Sequence, residues 1–194
     1  MPTPTNRSTL FLVHAHPDDE SLATGGVIAR TARAGHRVVL VTCTRGEEGE
    51  IHALEDAAAA RHRLGDVRAA ELRRACAILG VDRLALLDYR DSGMAGSPAN
   101  QHPASFHRAP LGEVAGRLAA LLWEERPAVV VTYGPDGTYG HPDHVKAHRA
   151  TGAALDWLES RGWRPDKTYW HAVPRSALRR LGMETPFRGT PDDR

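Results

Sequence analysis

Cysteine is nearly missing from this chain: its 194 residues carry two, Cys43 and Cys76, and neither belongs to a C-x-x-C pair. That excludes a disulfide framework and a thiolate-rich zinc site, and predicts two reduced thiols in the core. Long apolar runs are missing as well. Nothing approaches the ~20 residues of a membrane span, and "MPTPTNRSTL" lacks the charged start and apolar stretch of a signal peptide. No membrane span is expected, and the cytoplasm is the expected location. Net charge is almost absent: Lys+Arg 25 against Asp+Glu 24 gives +1. Arg61, Arg63, Arg68, Arg73 and Arg74 cluster, but acidic residues surround them, so no nucleic-acid partner is expected. A G-x-G-x-x-G is also lacking after the first apolar run, which argues against a dinucleotide site.

What the chain does contain is a regular alternation. "TLFLV" (9–13), "RVVLVTC" (37–43), "RLALLD" (83–88) and "AVVVTY" (128–133) are short, branched and continuously apolar, the pattern of strands buried on both faces. Amphipathic, Ala/Arg/Leu-rich stretches near 20–34, 66–79, 111–125 and 144–160 predict helices. Strand then helix, four times over, predicts an α/β, Rossmann-like fold with a mostly parallel sheet and helices on both faces. "KTYWHAVPRSALRRLG" suggests one further strand and a short helix, "ALEDAAAARHR" reads as helix, and "METPFRGTPDDR" reads as a loose end. The expectation is one domain, 1–194, with ligands bound at the carboxyl ends of the strands, where the long segments "TRGEEGEIHALE" and "YRDSGMAGSPANQHPASFHRAP" emerge.

The chemistry is concentrated in two segments. "HAHPDDE" (14–20) follows the first strand and "YGHPDH" (139–144) follows the fourth, so the two should meet at one edge of the sheet. Charges packed so closely repel and lose water together, a cost that a bound cation offsets. Catalytic zinc takes three protein nitrogen or oxygen ligands and keeps one position for water. His16, Asp19 and His144 would supply them, leaving Asp18 free as a base. Pro17 and Pro142 each stiffen the histidine before them. A helix cap is the plainer reading of either H-P-D alone; two of them at matching strand ends favour metal.

Together these residues resemble the zinc-dependent LmbE-like, or PIG-L, N-deacetylases, with "AHPDDE" and "GHPDH" as the hallmark pair. "VRAAELRRACAILGV" is similar to the family's R-x-x-E-L helix, and "YRDSGMAGSPAN" to the D-S-G-M loop of the mycothiol-type branch. The resemblance implies Zn²⁺ on His16, Asp19 and His144, with Fe²⁺ suited to the same donors. It implies Asp18 as general base, His141 as electrophile or acid, and Asp143 orienting a histidine. Zinc lowers the pKa of water from 15.7 to about 7, so a neighbouring carboxylate can take its proton; His141 or Tyr139 would then hold the oxyanion. The implied substrate is a small N-acylated amino-sugar, with an amidase of thiol conjugates or natural-product glycosides, and a non-catalytic metal- or ligand-binding module, as rivals.

Other residues carry two readings each. Arg68 either pairs with Glu71 along its helix or lines the substrate pocket, as its family counterpart does. Asp91 binds sugar hydroxyls or caps a turn, and Glu47 belongs to an acidic lid or to a solvated loop. His14 is expected to support the site by hydrogen bonding rather than as a fourth ligand. Glu20 and Ser21 should serve the first helical turn. His36, His52, His62, His102 and His107 are expected at the surface. Family members usually run past this chain's end, so the expectation is either a short member without their C-terminal extension or a piece of a longer protein.

Overall fold

The computed structural model describes residues 7–51 and 60–172. Five strands are present: β1 (Thr9–His14), β2 (Arg37–Thr44), β3 (Arg83–Tyr89), β4 (Val129–Tyr133) and β5 (Lys167–His171). They form one parallel sheet in the order β3-β2-β1-β4-β5. Among the described residues four longer helices accompany them, besides short single turns: α1 (Gly25–Arg33), α2 (Leu64–Leu79), α3 (Leu111–Glu125) and α4 (Pro142–Glu159). The expected helix through "ALEDAAAARHR" falls largely on 52–59, outside the described residues, as do the expected terminal helix and loose end beyond residue 172.

Alternation along the strands sorts the core into two layers. Phe11, Val13, Val39, Val41 and Val130 pack with Val114, Leu118 and Leu122 of α3 and with Ala147, Ala150, Ala154 and Leu158 of α4. Leu10, Leu12, Val38, Leu40 and Val131 pack on the other face with Ile28 of α1 and with Leu72 and Cys76 of α2. Cys43 and Cys76 are both unpaired and buried. Both faces are apolar because both are covered, which is why the strands read as continuous runs. Among the described residues no helix is long and apolar enough to cross a membrane.

The helix expected over 20–34 is broken. A single turn, Asp19–Leu22, is separated from α1 by Ala23 and by Thr24, whose φ is −130°. The Thr24 hydroxyl bonds His14 Nε2 at 2.9 Å, so a side chain reaching across from β1 fixes the break. At the other segment α4 begins at Pro142, earlier than expected, with the His141 side chain as its cap. Proline suits that first helical position because its missing N–H would have no partner there.

Candidate metal centre

β1 lies between β2 and β4, so the strand order turns at the β1/β4 boundary, and the crevice at such a switch point is where open α/β sheets bind ligands. Both H-P-D segments leave the sheet here. His16 Nδ1 and His144 Nε2 face each other at 3.2 Å, and Asp19 Oδ2 stands 3.6 Å from each. Three ligands of a tetrahedral zinc, bound at about 2.0–2.2 Å, are about 3.3–3.6 Å apart. The described triangle has that size.

Hydrogen bonds on the far sides of the rings place their protons. His144 Nδ1 is 3.1 Å from the Gly137 carbonyl, which only accepts, so Nδ1 carries hydrogen. His16 Nε2 is 3.2 Å from Asp143 Oδ2 and 3.6 Å from Asp91 Oδ1, so Nε2 carries hydrogen. The two nitrogens that face each other therefore both present lone pairs, which repel unless a cation or proton lies between them. Burial disfavours charge on His16, yet its hydrogen bonds to Asp143, Asp19 and Asp91 hold it well above the usual histidine range. His144 is pushed down to about 3, by burial first and then by the neighbouring imidazoles, so it is a neutral donor. Burial opposes ionisation of Asp19, but the hydrogen bond from His16 and the nearby imidazoles hold its carboxyl well below the usual carboxylate range. With a metal in place of the proton that His16 carries, two imidazoles and one carboxylate would fit a divalent ion such as zinc.

Other donors lie close. His141 brings a ring nitrogen within 4.8 Å of those of His16 and His144, and Asp91 and Asp143 do the same on the far side of His16. Those carboxylates are already engaged. Asp143 Oδ2 accepts from the Ser92 amide at 2.9 Å, and Asp91 accepts from the amides of Gly93 at 2.8 Å and Glu48 at 3.3 Å. His141 Nδ1 accepts from the Asp143 amide at 3.2 Å, which leaves its hydrogen on Nε2 as a donor.

Asp18 sits beside this triangle with φ +118°, a conformation that costs of order 1–3 kcal/mol for a residue with a side chain. Neighbours hold it there. Its amide donates to Glu20 Oε2 at 2.9 Å, and Arg68 Nη2 donates to its carboxylate at 2.8 Å and to the Pro17 carbonyl. Arg68 Nη1 donates to the Gly46 carbonyl at 2.8 Å, and a Cβ on Gly46 would lie 2.0 Å from that nitrogen. Asp18 is raised to about 6, by burial first and by the charge of Asp19, with Arg68 and His16 pulling it down.

The family description GlcNAc-PI de-N-acetylase, PIG-L, matches residues 11–155. The chain belongs to the PIG-L family. Among curated relatives it is 46% identical over 209 residues to a protein of Salinispora arenicola named 1D-myo-inositol 2-acetamido-2-deoxy-alpha-D-glucopyranoside deacetylase, covering 95% of this chain and 68% of that one. Among solved structures it resembles the N,N'-diacetylchitobiose deacetylase of Pyrococcus horikoshii, with a TM-score of 0.63, 22% identity, and coverage of 95% of this chain but 58% of the other. GalB, a 4-carboxy-2-hydroxymuconate hydratase from Pseudomonas putida, shares the fold with a TM-score of 0.64 and 24% identity, covering 86% of this chain and 63% of the other. The fold therefore serves more than one reaction, and the chemistry is set by the side chains of the site.

In this PIG-L chain, His16, Asp18, Asp19, His141, Asp143 and His144 come together at one edge. Tyr139 is 44% exposed, and its ring lies edge-on to His144 with centroids 4.9 Å apart. Arg68 points to Asp18 and the loop carbonyls. Asp91 is buried, and Glu47 Oε2 accepts from its amide at 3.0 Å, so the loops after β2 and β3 are laced together. β1 ends at His14, so strand alternation does not extend to His16: His14 turns to Thr24 and His16 to Asp143. Glu20 is buried beneath Asp18, where it accepts from the Asp18 amide and the Ser21 hydroxyl. His62, His102 and His107 are exposed, His36 is half-buried, and His52 lies outside the described residues.

Sequence reasoning missed Tyr133 and Ser92. Tyr133 is fully buried, and its ring stacks on His144 at 4.1 Å and 17°. Its hydroxyl bonds Asp19 Oδ2 and the Ala15 amide, each at 2.6 Å. The available signal was a hydroxyl-bearing aromatic at the carboxyl end of a strand otherwise made of β-branched residues.

Proposed function

We propose that this chain is a zinc-dependent hydrolase that removes an acetyl group from the amine of a small amino-sugar substrate. The observation that carries the reading is the pair of facing imidazole nitrogens, 3.2 Å apart, beside the Asp19 carboxylate, with a second carboxylate on Asp18 held by Arg68. A closed structural site has no use for that second carboxylate. The names of the similar deacetylases support the same substrate class. The buried, unpaired cysteines suit a reducing compartment, and we place the reaction in the cytoplasm.

Zinc held by His16, Asp19 and His144 would supply a water acidic enough to react near neutral pH and would polarise the amide carbonyl. Asp18 takes the proton from the attacking water. The hydrogen on His141 Nε2 is directed to the carbonyl oxygen as charge develops there, and Tyr139 stands beside it; one such donor is typically worth about 10²-fold or more in rate. Asp143 holds the His16 ring and its tautomer, and Asp91 reinforces that hold. Asp18 or His141 returns a proton to the leaving amine. Arg68, Glu47 and Asp91 shape the loops around the substrate, Arg68 through the Gly46 carbonyl and Glu47 through the Asp91 amide.

The test pairs metal content with amine release from N-acetylglucosamine derivatives. Wild type should hold about one metal and release amine, and Asp18→Ala should keep the metal but lose nearly all activity. His144→Ala should lose both. Wild-type metal content in His144→Ala would remove the two-segment site and the mechanism with it.

A further inference from the structure

We propose that Tyr133 is a positioning residue for the metal centre, acting on ligands from both H-P-D segments at once. The proposal rests on the metal site described above and deepens it. Tyr133 ends β4, where its side chain is fully buried between the two segments. The Ala15 amide donates to its hydroxyl at 2.6 Å, which occupies the oxygen's acceptor side. The hydroxyl hydrogen therefore goes to Asp19 Oδ2, 2.6 Å away, and a carboxylate there can only accept. Asp19 Oδ2 also accepts from the His16 amide at 3.0 Å, so two donors fix the rotation of the carboxylate.

The ring does separate work. It lies nearly parallel to the His144 imidazole, 4.1 Å between centroids and 17° between planes, on the side of the ligand not held by the Gly137 carbonyl. The Tyr133 carbonyl in turn accepts from His148 Nδ1 at 2.9 Å, one helical turn after His144 in α4, which ties the end of the strand to the helix that carries the ligand. Register makes this possible. Leu10, Phe11 and Leu12 of β1 pair with Val129, Val130 and Val131 of β4, so the end of β4 runs alongside the start of the first H-P-D segment.

Partners that orient metal ligands typically contribute 10–100-fold to metal affinity or activity. Tyr133→Phe keeps the ring against His144 and removes only the hydroxyl. It should weaken Co²⁺ binding 10–100-fold, shift the visible d–d spectrum of the Co²⁺ protein, and lower kcat at saturating metal while KM changes little. Thr132→Val is the control: its hydroxyl bonds the Val13 carbonyl, away from the ligands, so affinity and spectrum should match wild type. Thermal unfolding of both variants reports the fold independently. Wild-type Co²⁺ affinity and spectrum in Tyr133→Phe would overturn the proposal, as would equal changes in Thr132→Val. A wild type that takes up no Co²⁺ would overturn the metal centre itself, and that arm is read separately.

Discussion

To serve as the proposed base Asp18 must be ionised, yet it sits beside another carboxylate in a backbone conformation that side chains avoid. Its pKa of about 6 comes from burial and from Asp19, moderated by Arg68 and His16. A base works when deprotonated, so kcat/KM should climb as pH rises through that value and fall away below it. A bound dication adds to the pull of Arg68, which sets the acid limb at or below pH 6. Arg68→Ala removes a charge that lowers the pKa, so its limb should move up by about one pH unit. A kcat/KM profile of Arg68→Ala that overlays wild type would show that the 2.8 Å contact does not govern the base. The place of Asp18 beside the proposed ligands was legible in the sequence from its adjacency to Asp19 in the first H-P-D segment. The partner of Arg68 was not, because Arg68 and Asp18 are 50 residues apart in the chain and only the packing of α2 under the loops joins them.

At the scale of elements, β1 to β4 and helices α2 and α3 were legible because each carries a pattern that local geometry dictates: unbroken branched runs for strands covered on both faces, helical periodicity for the rest. The break before α1 was not, since it depends on Thr24 meeting His14 from another element. Tyr133 escaped for the same reason: its role exists only once β1 and β4 are in register. The loop after β2 gives a test at this scale. Gly46 has φ +67°, and a Cβ there would lie 2.0 Å from Arg68 Nη1. Gly46→Ala should cost ~1–2 kcal/mol from the left-handed backbone alone, plus a steric share and lost activity as Arg68 is pushed off Asp18. Combined with Arg68→Ala, the steric share should vanish while the backbone share remains. Urea unfolding of the four proteins measures the difference. Strictly additive losses would mean that the glycine does not make room for the arginine.

Across the whole molecule, the two H-P-D segments belong to different parts of the βα succession, and the strand order brings them together only because β1 pairs with β2 on one side and β4 on the other. A cation held by His16, Asp19 and His144 thus joins the β1 end to the N-terminus of α4. It binds the folded chain alone, so it stabilises that chain by mass action, about 2.7 kcal/mol at a free concentration of 100 Kd. For a chain of this length ~1 kcal/mol corresponds to about 2–4 °C in Tm. Chelation should therefore lower Tm by about 5–10 °C, and restoring zinc should recover it. Metal entry also displaces the proton that relieves the facing lone pairs of His16 and His144, so the zinc-induced rise should shrink as pH falls. In His144→Ala the difference between chelated and zinc-loaded protein should disappear, because two donors no longer enclose the ion. A His144→Ala protein that still gains stability from zinc as wild type does would place the metal elsewhere in the chain.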